Sequence, residues 1–331
     1  MQLVRHGPTG EAYAAKTFAK LELLRRGALE KVAVEKRLLR ACAHPHVVEL
    51  VASHQDDVAV ALLFEYVPGG ELAAVLRRGA MGGGAMGGGG MGGGGMGMGG
   101  MGGGMGGGGG VGEGAAAFYC GCVLGALEAV HDAGVMHRDV RPENLLVDAR
   151  GYLKLCGFGC AREVAAADAA GGEGGGGGGD GGGGGGSGGR AHTLCGAPDY
   201  LSPEMVSGEG HGLAVDWWAL GVLLHELVTG APPFVERHGP LKLYEAILRG
   251  GLPEASAARL SAGAASLCTS LLARRPDARM AAVRGGSGAL LLRRHPFFEP
   301  TPWLALELRE LAAPFVPTLN GPLDASHFAD V

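Results

Sequence analysis

Val135-Met136-His137-Arg138-Asp139-Val140-Arg141-Pro142-Glu143-Asn144 reads as a short apolar strand running into a polar loop. An Asp in such a loop, with a cation two places on and an Asn five places on, suits phosphoryl transfer. The Asp139 carboxylate can accept the proton of an attacking hydroxyl. The Arg141 cation can neutralise a moving phosphoryl group, and the Asn144 carboxamide oxygen can ligate a metal ion. The order His-Arg-Asp-x-x-x-x-Asn rarely arises by chance.

Outward from this loop the pattern separates into a sheet-rich part and a helical part. On the N-terminal side, residues 11–20 predict a strand after the Gly7–Gly10 turn, and 29–42 predict a helix in which Val32, Leu38 and Leu39 are apolar. His44-Pro45 ends that helix. Val47–Val51 and Val58–Phe64 predict two further strands. Pro68-Gly69-Gly70 marks a turn, followed by a short helix over 71–78. A long helix is expected over 115–133, and from Leu213 onward the pattern is mainly helical. Strands first and helices later suggest an α+β fold, a small sheet-rich lobe on a larger helical one.

The 331 residues include 66 glycines, of which 22 fall in 81–110 together with 7 of the 11 methionines, and 16 in 171–189. The remainder has an ordinary glycine share, so the chain reads as one globular unit of about 280 residues interrupted by two low-complexity inserts. No Gly-X-Y period appears, which excludes collagen. Phosphate-cradling glycine loops are short and lie between a strand and another ordered element, so 81–110 reads as linker. The net charge is −5, and no long basic run marks a nucleic-acid face. No apolar run reaches about 18 residues, so no membrane span is expected. The start lacks the apolar core of a signal peptide. The seven cysteines, at 42, 120, 122, 156, 160, 195 and 268, form no Cys-x-x-Cys pair and are expected as reduced thiols of a cytoplasmic protein.

Several further stretches, in the same order along the chain, resemble eukaryotic protein kinase catalytic domains of the AGC group, close to the cyclic-nucleotide-dependent serine/threonine kinases. Tyr13-Ala14-Ala15-Lys16 resembles the strand carrying the ATP-phosphate lysine, and Glu35 in Val34-Glu35-Lys36-Arg37 matches its partner glutamate. Glu65-Tyr66-Val67-Pro68-Gly69-Gly70-Glu71 resembles the hinge. Thr193-Leu194-Cys195-Gly196-Ala197-Pro198-Asp199-Tyr200-Leu201-Ser202-Pro203-Glu204 resembles the activation and docking segment, and Asp216-Trp217-Trp218-Ala219-Leu220-Gly221-Val222 the family's central helix. Pro314-Phe315-Val316-Pro317 and Asp324-Ala325-Ser326-His327-Phe328 resemble the tail that wraps the small lobe.

The resemblance implies a bilobal protein kinase fold with an N-lobe over 1–67, a C-lobe over 68–298 carrying the inserts at 81–110 and 171–189, and a tail over 299–331. It implies ATP and Mg²⁺ as cofactors. Asp139, Arg141, Asn144 and Lys16 would be catalytic, with Asn144 on the metal. Lys16, Glu35, Ala14, Glu65, Val67, Leu146 and Phe328 would hold the nucleotide. Glu71, Glu143 and Glu226 would meet arginines before the target residue, because three carboxylates around one groove favour bidentate guanidinium. Leu194, Pro198 and Leu201 would form an apolar pocket for the residue after it. Thr193 is the expected phosphosite, and Arg138 would bind that phosphate. Asp216 would hold the catalytic loop, and Glu204 with Arg279 would form a buried ion pair. Protein substrates with basic motifs are implied, and cyclic-nucleotide control would need a further region or a separate subunit.

The chain also departs from the family. In Cys156-Gly157-Phe158-Gly159, glycine stands where the family has the metal-binding Asp. The glycine-rich lid is missing, because Met1-Gln2-Leu3-Val4 reads as the strand that follows it. The start is therefore expected to be either late in evolution or that of a truncated gene model or fragment, with Met1 near the adenine position. Arg141 replaces a lysine, keeping charge but changing geometry. Two functions are expected from this: an ATP-dependent serine/threonine kinase, or a pseudokinase scaffold with weak or no transfer.

Overall fold

The computed structural model describes residues 1–81, 109–164, 190–235, 239–280 and 288–328. The 171–189 insert and all but the edges of the 81–110 insert lie outside these residues. The N-terminal lobe is a four-stranded antiparallel sheet of β1 (Gln2–Arg5), β2 (Ala12–Ala19), β3 (Leu50–Gln55) and β4 (Ala59–Glu65), in the order β1-β2-β4-β3. In β2, Ala14 pairs with Phe64 and Lys16 with Leu62. The two-residue period of a strand puts Ala14 and Lys16 on one face. Helix α2 (Leu29–Ala41) buries Val32, Leu38 and Leu39 on one stripe, and the Glu35 carboxylate is buried with them.

Two elements differ from the sequence expectation. The strand expected at Val47–Val51 is β3 three residues later, because Val47 and Val48 are taken by the other lobe. Val47 makes a parallel bridge to Leu155, and the Val48 amide donates to the Leu155 carbonyl at 2.9 Å. Helix α1 (Lys20–Arg25) was not expected at all. It leaves Leu21 and Leu24 exposed, so no burial period marks it.

In the larger lobe, α3 (Leu72–Met81) follows the turn after β4, and α4 (Glu113–Asp132) leads to β5 (Val135–Met136). By length and composition α4 could cross a membrane, but 67% of its most apolar window is buried inside the domain, as a core helix is. The 3₁₀ turn Pro142–Asn144 opens onto β6 (Leu145–Val147), which pairs with β7 (Leu153–Leu155). β5 pairs with β8 (Arg162–Glu163). The 137–144 loop thus runs between two small two-stranded sheets.

Beneath it runs the Ala214–Thr229 helix, buried on nearly every side. A helix apolar all round belongs at the centre of a domain, and here α4 and the Ala262–Leu271 helix pack against it. Arg279, fully buried, donates from both terminal nitrogens to the two Glu204 oxygens at 2.6 Å, and its guanidinium lies over the Trp218 ring. The segment after Phe298 returns along the surface to the small lobe. Tyr152 donates to the Leu311 carbonyl, Pro317 lies against Gly69, and Tyr66 donates to the Asp324 carbonyl at 2.6 Å.

Candidate active site

A cleft of about 450 Å³ lies between the sheet and the helical lobe. Ala14 and Lys16 line it from β2, Glu35 from α2, Val67 from the segment after β4, and Leu146 from β6. Phe328 closes one side, its ring 6.1 Å from that of Tyr66. Lys16 Nζ donates to Glu35 Oε1 at 2.7 Å, which fixes a cation on the cleft wall. Glu65 also lines the cleft. Its carboxylate, however, accepts from Lys154 Nζ at 2.7 Å and from the Glu49 amide at 2.8 Å, so it is committed to the protein.

The catalytic loop is held from below by Asp216, which is completely buried. Its two carboxylate oxygens accept the His137 amide at 2.8 Å and the Arg138 amide at 2.7 Å, and His131 Nε2 donates to the same carboxylate. Burial pushes the Asp216 carboxyl up, but the His131 bond, the nearby imidazoles and the His137 amide outweigh it and hold it below the ordinary carboxylate value. These bonds support a left-handed backbone at Arg138 (φ 67°), a conformation that costs a non-glycine residue energy. His137 donates from Nε2 to the Cys156 carbonyl at 2.9 Å, and its ring meets Phe158 edge-on at 4.9 Å. The loop and the 156–158 segment are therefore locked together.

Asp139 does not line the main cleft. It sits behind Asn144, whose Nδ2 donates to both the Asp139 carbonyl and Oδ2 at 2.7 Å. Arg141 Nε lies 3.4 Å from Asp139 Oδ1 and 3.7 Å from Glu143 Oε2. Gly157 has a left-handed φ of 82°, and a Cβ built on it would meet the Asn144 carboxamide, with Cγ only 2.6 Å away. The Asn144 side chain thus fills the space in which a side chain at 157 would begin. Mg²⁺ takes near-octahedral oxygen ligands and is usually held by one or two carboxylates plus phosphate. The donor set beside Gly157 is one neutral carboxamide, with the neighbouring Asp139 Oδ2 accepting from Asn144 and its Oδ1 facing Arg141 without a hydrogen bond. Among the described residues no group of three His, Cys, Asp or Glu could hold a metal. This donor set does not fit the bridging metal clamp that the family resemblance implies.

Glu71 and Glu143 reach the mouth of the cleft. Glu226 does not line the cleft and accepts from the Tyr200 hydroxyl. Burial pushes the Glu226 carboxyl up against the pull of that bond, and the Glu143 and Asp199 carboxylates push it further. Glu143 and Glu226 therefore share one acidic field, whereas Glu71 serves the cleft side. Of the three residues expected to form an apolar pocket, only Leu201 does so, in a pocket of about 10 Å³ beside Asp139, Ala197, Met205 and Val215. Leu194 and Pro198 are exposed and stay outside it, Pro198 at the start of the Pro198–Tyr200 turn. Thr193 is exposed. Arg138 donates from Nε to the Cys160 carbonyl at 2.6 Å and approaches His211, which is where the structure places the expected phosphate-binding cation.

Three participants are invisible in the sequence. His131 reaches Asp216 from 85 residues away. Arg77, one turn beyond the hinge, lines the cleft. Arg37 on α2 makes a two-pronged ion pair with Glu163 on β8, at 2.9 and 3.0 Å, tying the Glu35 helix to the strand after Phe158. A carboxylate at 163 opposite a helix arginine is the only signal, and it appears only once the fold is known.

The description "protein kinase domain" matches residues 1–298. The chain is similar to the serine/threonine-protein kinase gad8 of Schizosaccharomyces pombe, 31% identical over 98% of this chain and 47% of that protein. It is similar to the cAMP-dependent protein kinase catalytic subunit of Dictyostelium discoideum, 30% identical over 98% of this chain and 42% of that protein. It is also similar to the human cAMP-dependent protein kinase catalytic subunit PRKX, 29% identical over 99% of this chain and 76% of that protein. The chain spans less than half the length of the first two. With a cleft between two lobes, a lysine–glutamate pair on its upper wall and a His-Arg-Asp loop anchored below, the chain belongs to the protein kinase family, in its AGC group.

Proposed function

We propose that this chain is an ATP-dependent serine/threonine kinase acting on protein segments that carry arginines before the target residue. The observation that carries the reading is the Lys16–Glu35 bond at 2.7 Å, formed within the same cleft that Asn144 lines. Lys16 presents its ammonium to nucleotide phosphates, and the apolar side chains of Ala14, Val67, Leu146 and Phe328 take the base. Asp139 accepts the proton of the attacking hydroxyl, and Asn144 orients its carboxylate. Glu143 and Glu226 supply the negative field for a substrate guanidinium. The names of the relatives support serine or threonine as acceptor. Two of them are cAMP-dependent catalytic subunits, which supports control by a cyclic-nucleotide-binding partner.

Gly157 favours a second reading, a scaffold that holds nucleotide and transfers nothing. Losing a metal clamp removes several kcal/mol of transition-state stabilisation, roughly a thousandfold or more in rate. The test compares transfer to an Arg-Arg-x-Ser peptide by the native chain and by Gly157→Asp. Measurable turnover by the native chain supports the kinase; activity confined to the variant supports the scaffold. A peptide array without preference for upstream arginine would remove the specificity claim. Lys16→Met is expected to lower transfer by at least tenfold, about 1.4 kcal/mol, in whichever protein is active.

A further inference from the structure

We infer that Cys160 and Cys195 form a reversible dithiol–disulfide pair, oxidised by a hydroperoxide, beside the loop that carries Asp139. The inference depends on neither nucleotide binding nor phosphoryl transfer. Cys160 closes the 3₁₀ turn Phe158–Cys160, and Cys195 lies in the segment leading to Leu201, where it packs on Leu201, Met205 and Val215. In sequence the two stand on opposite sides of the 171–189 insert. The fold brings both to Arg138. Arg138 Nε donates to the Cys160 carbonyl at 2.6 Å. A Cβ built on Gly196, next to Cys195, would lie 3.0 Å from the Arg138 carbonyl and 3.3 Å from Asp139 Oδ1. The Cys195 thiol donates a hydrogen bond to the Cys160 sulfur, and the Gly196 amide donates to the same atom. Both residues are partly exposed, whereas Cys42, Cys120, Cys122 and Cys268 are buried. Burial of its sulfur keeps Cys156 protonated.

The two thiols divide the chemistry. The Cys195 bond, the Arg138 charge and the Gly196 amide favour the Cys160 thiolate against burial and the Asp139 carboxylate. The same bond holds Cys195 as the thiol. The thiolate is the nucleophile. It attacks the O–O bond of the hydroperoxide, an S–O bond forms, and the released alkoxide or hydroxide takes up a proton. The Cys195 sulfur then attacks the Cys160 sulfenic sulfur. The S–S bond forms, the S–O bond breaks, and hydroxide leaves as water with the Cys195 proton. In sum, two thiols and one hydroperoxide give one disulfide, one alcohol and one water; hydrogen peroxide gives two waters. A dithiol reductant reverses the step by exchange. The closed pair would pin the segment leading to Leu201 against the Asp139 loop.

The experiment treats the reduced full chain with hydrogen peroxide at neutral pH and maps its unreduced tryptic peptides by tandem mass spectrometry. A cross-link between Cys160 and Cys195 of one chain is expected, formed about tenfold faster than oxidation at any other cysteine and removed by dithiothreitol. Cys195→Ser is expected to stop at the Cys160 sulfenic acid, captured by dimedone. Cys160→Ser is expected to leave Cys195 reduced at the same peroxide concentration. Absence of the cross-link, a cross-link between two chains, or pairing of either residue with a third cysteine would overturn the inference. Passage of native Cys160 to the sulfinic acid would overturn it too, because Cys195 would then have failed to intercept the sulfenic acid. Should a variant not fold, the map of the native chain decides alone.

Discussion

At the residue scale the molecule rests on a few buried charges, each with a dedicated partner. Arg279 is the clearest case, because its removal leaves the Glu204 carboxylate buried and unpaired. Arg279→Ala is expected to cost about 3–5 kcal/mol of stability, read by urea unfolding. A paired replacement, Arg279→Met with Glu204→Leu, should cost far less, and equal losses in the single and double variants would refute the explanation. Asp216→Ala strips the acceptors from two loop amides and the support from the left-handed Arg138, so a loss of about 3 kcal/mol is expected in the same assay. Thiol chemistry separates the cysteines. A hydrogen bond from Cys195 draws the Cys160 thiol down to about 7, whereas burial pushes Cys156 up to about 12. Cys160 should therefore be the first of the seven to react with iodoacetamide at neutral pH, as mass spectrometry of the labelled peptides would show. Residues such as Asp139, Asn144 and Lys16 are legible in the sequence because a short spacing encodes their chemistry. The tilt of Asn144 into the space beside Gly157 is not, because it depends on packing between two segments distant in sequence.

At the element scale, legibility follows burial period. Helix α2 and strands β2 and β4 are readable because one face of each is apolar and the other is not. β3 is misplaced by the sequence because Val47 and Val48 are β-branched and apolar yet pack against β7, and a run of such residues does not say which sheet will claim it. The tail is an element in its own right, fixed by close approach rather than by hydrogen-bonded regularity. A Cβ built on Gly70, at φ 79°, would overlap the His327 carbonyl, with the carbonyl carbon 3.0 Å away. Gly70→Ala should displace residues 324–328 and expose them to protease. The expected outcome is faster trimming of the C-terminus with the core digestion pattern unchanged; trimming at the native rate would show that the contact has slack. Arg78, which donates to His327 from two guanidinium nitrogens, offers the complementary lesion, since Arg78→Ala should loosen the same segment without a steric clash.

For the whole molecule, two buried histidines couple folding to pH. Burial pulls His46 down to about 4, and burial followed by the Arg138 charge does the same to His211, from an ordinary value of 6.5. Between pH 6.5 and 4 the unfolded chain takes up protons that the folded chain refuses. Stability should therefore be fully present above about pH 7 and fall as the solution is acidified through that window, by up to about 3 kcal/mol per histidine. Thermal denaturation at successive pH values would reveal it, and a melting temperature flat between pH 7 and 4.5 would contradict the assignment. The two-lobed plan itself is readable from strands preceding helices. How the lobes meet is not, since that depends on side chains such as Glu35, Glu163 and Phe328 finding partners far along the chain.

The position of Phe328 carries a reciprocal consequence. The wall it provides belongs to the last stretch of polypeptide rather than to either lobe, so occupancy of the pocket and docking of that stretch are two readouts of a single equilibrium. Any small molecule that seats against the phenyl ring must favour docking of residues 324–328 by the same factor by which that docking strengthens the molecule's own hold.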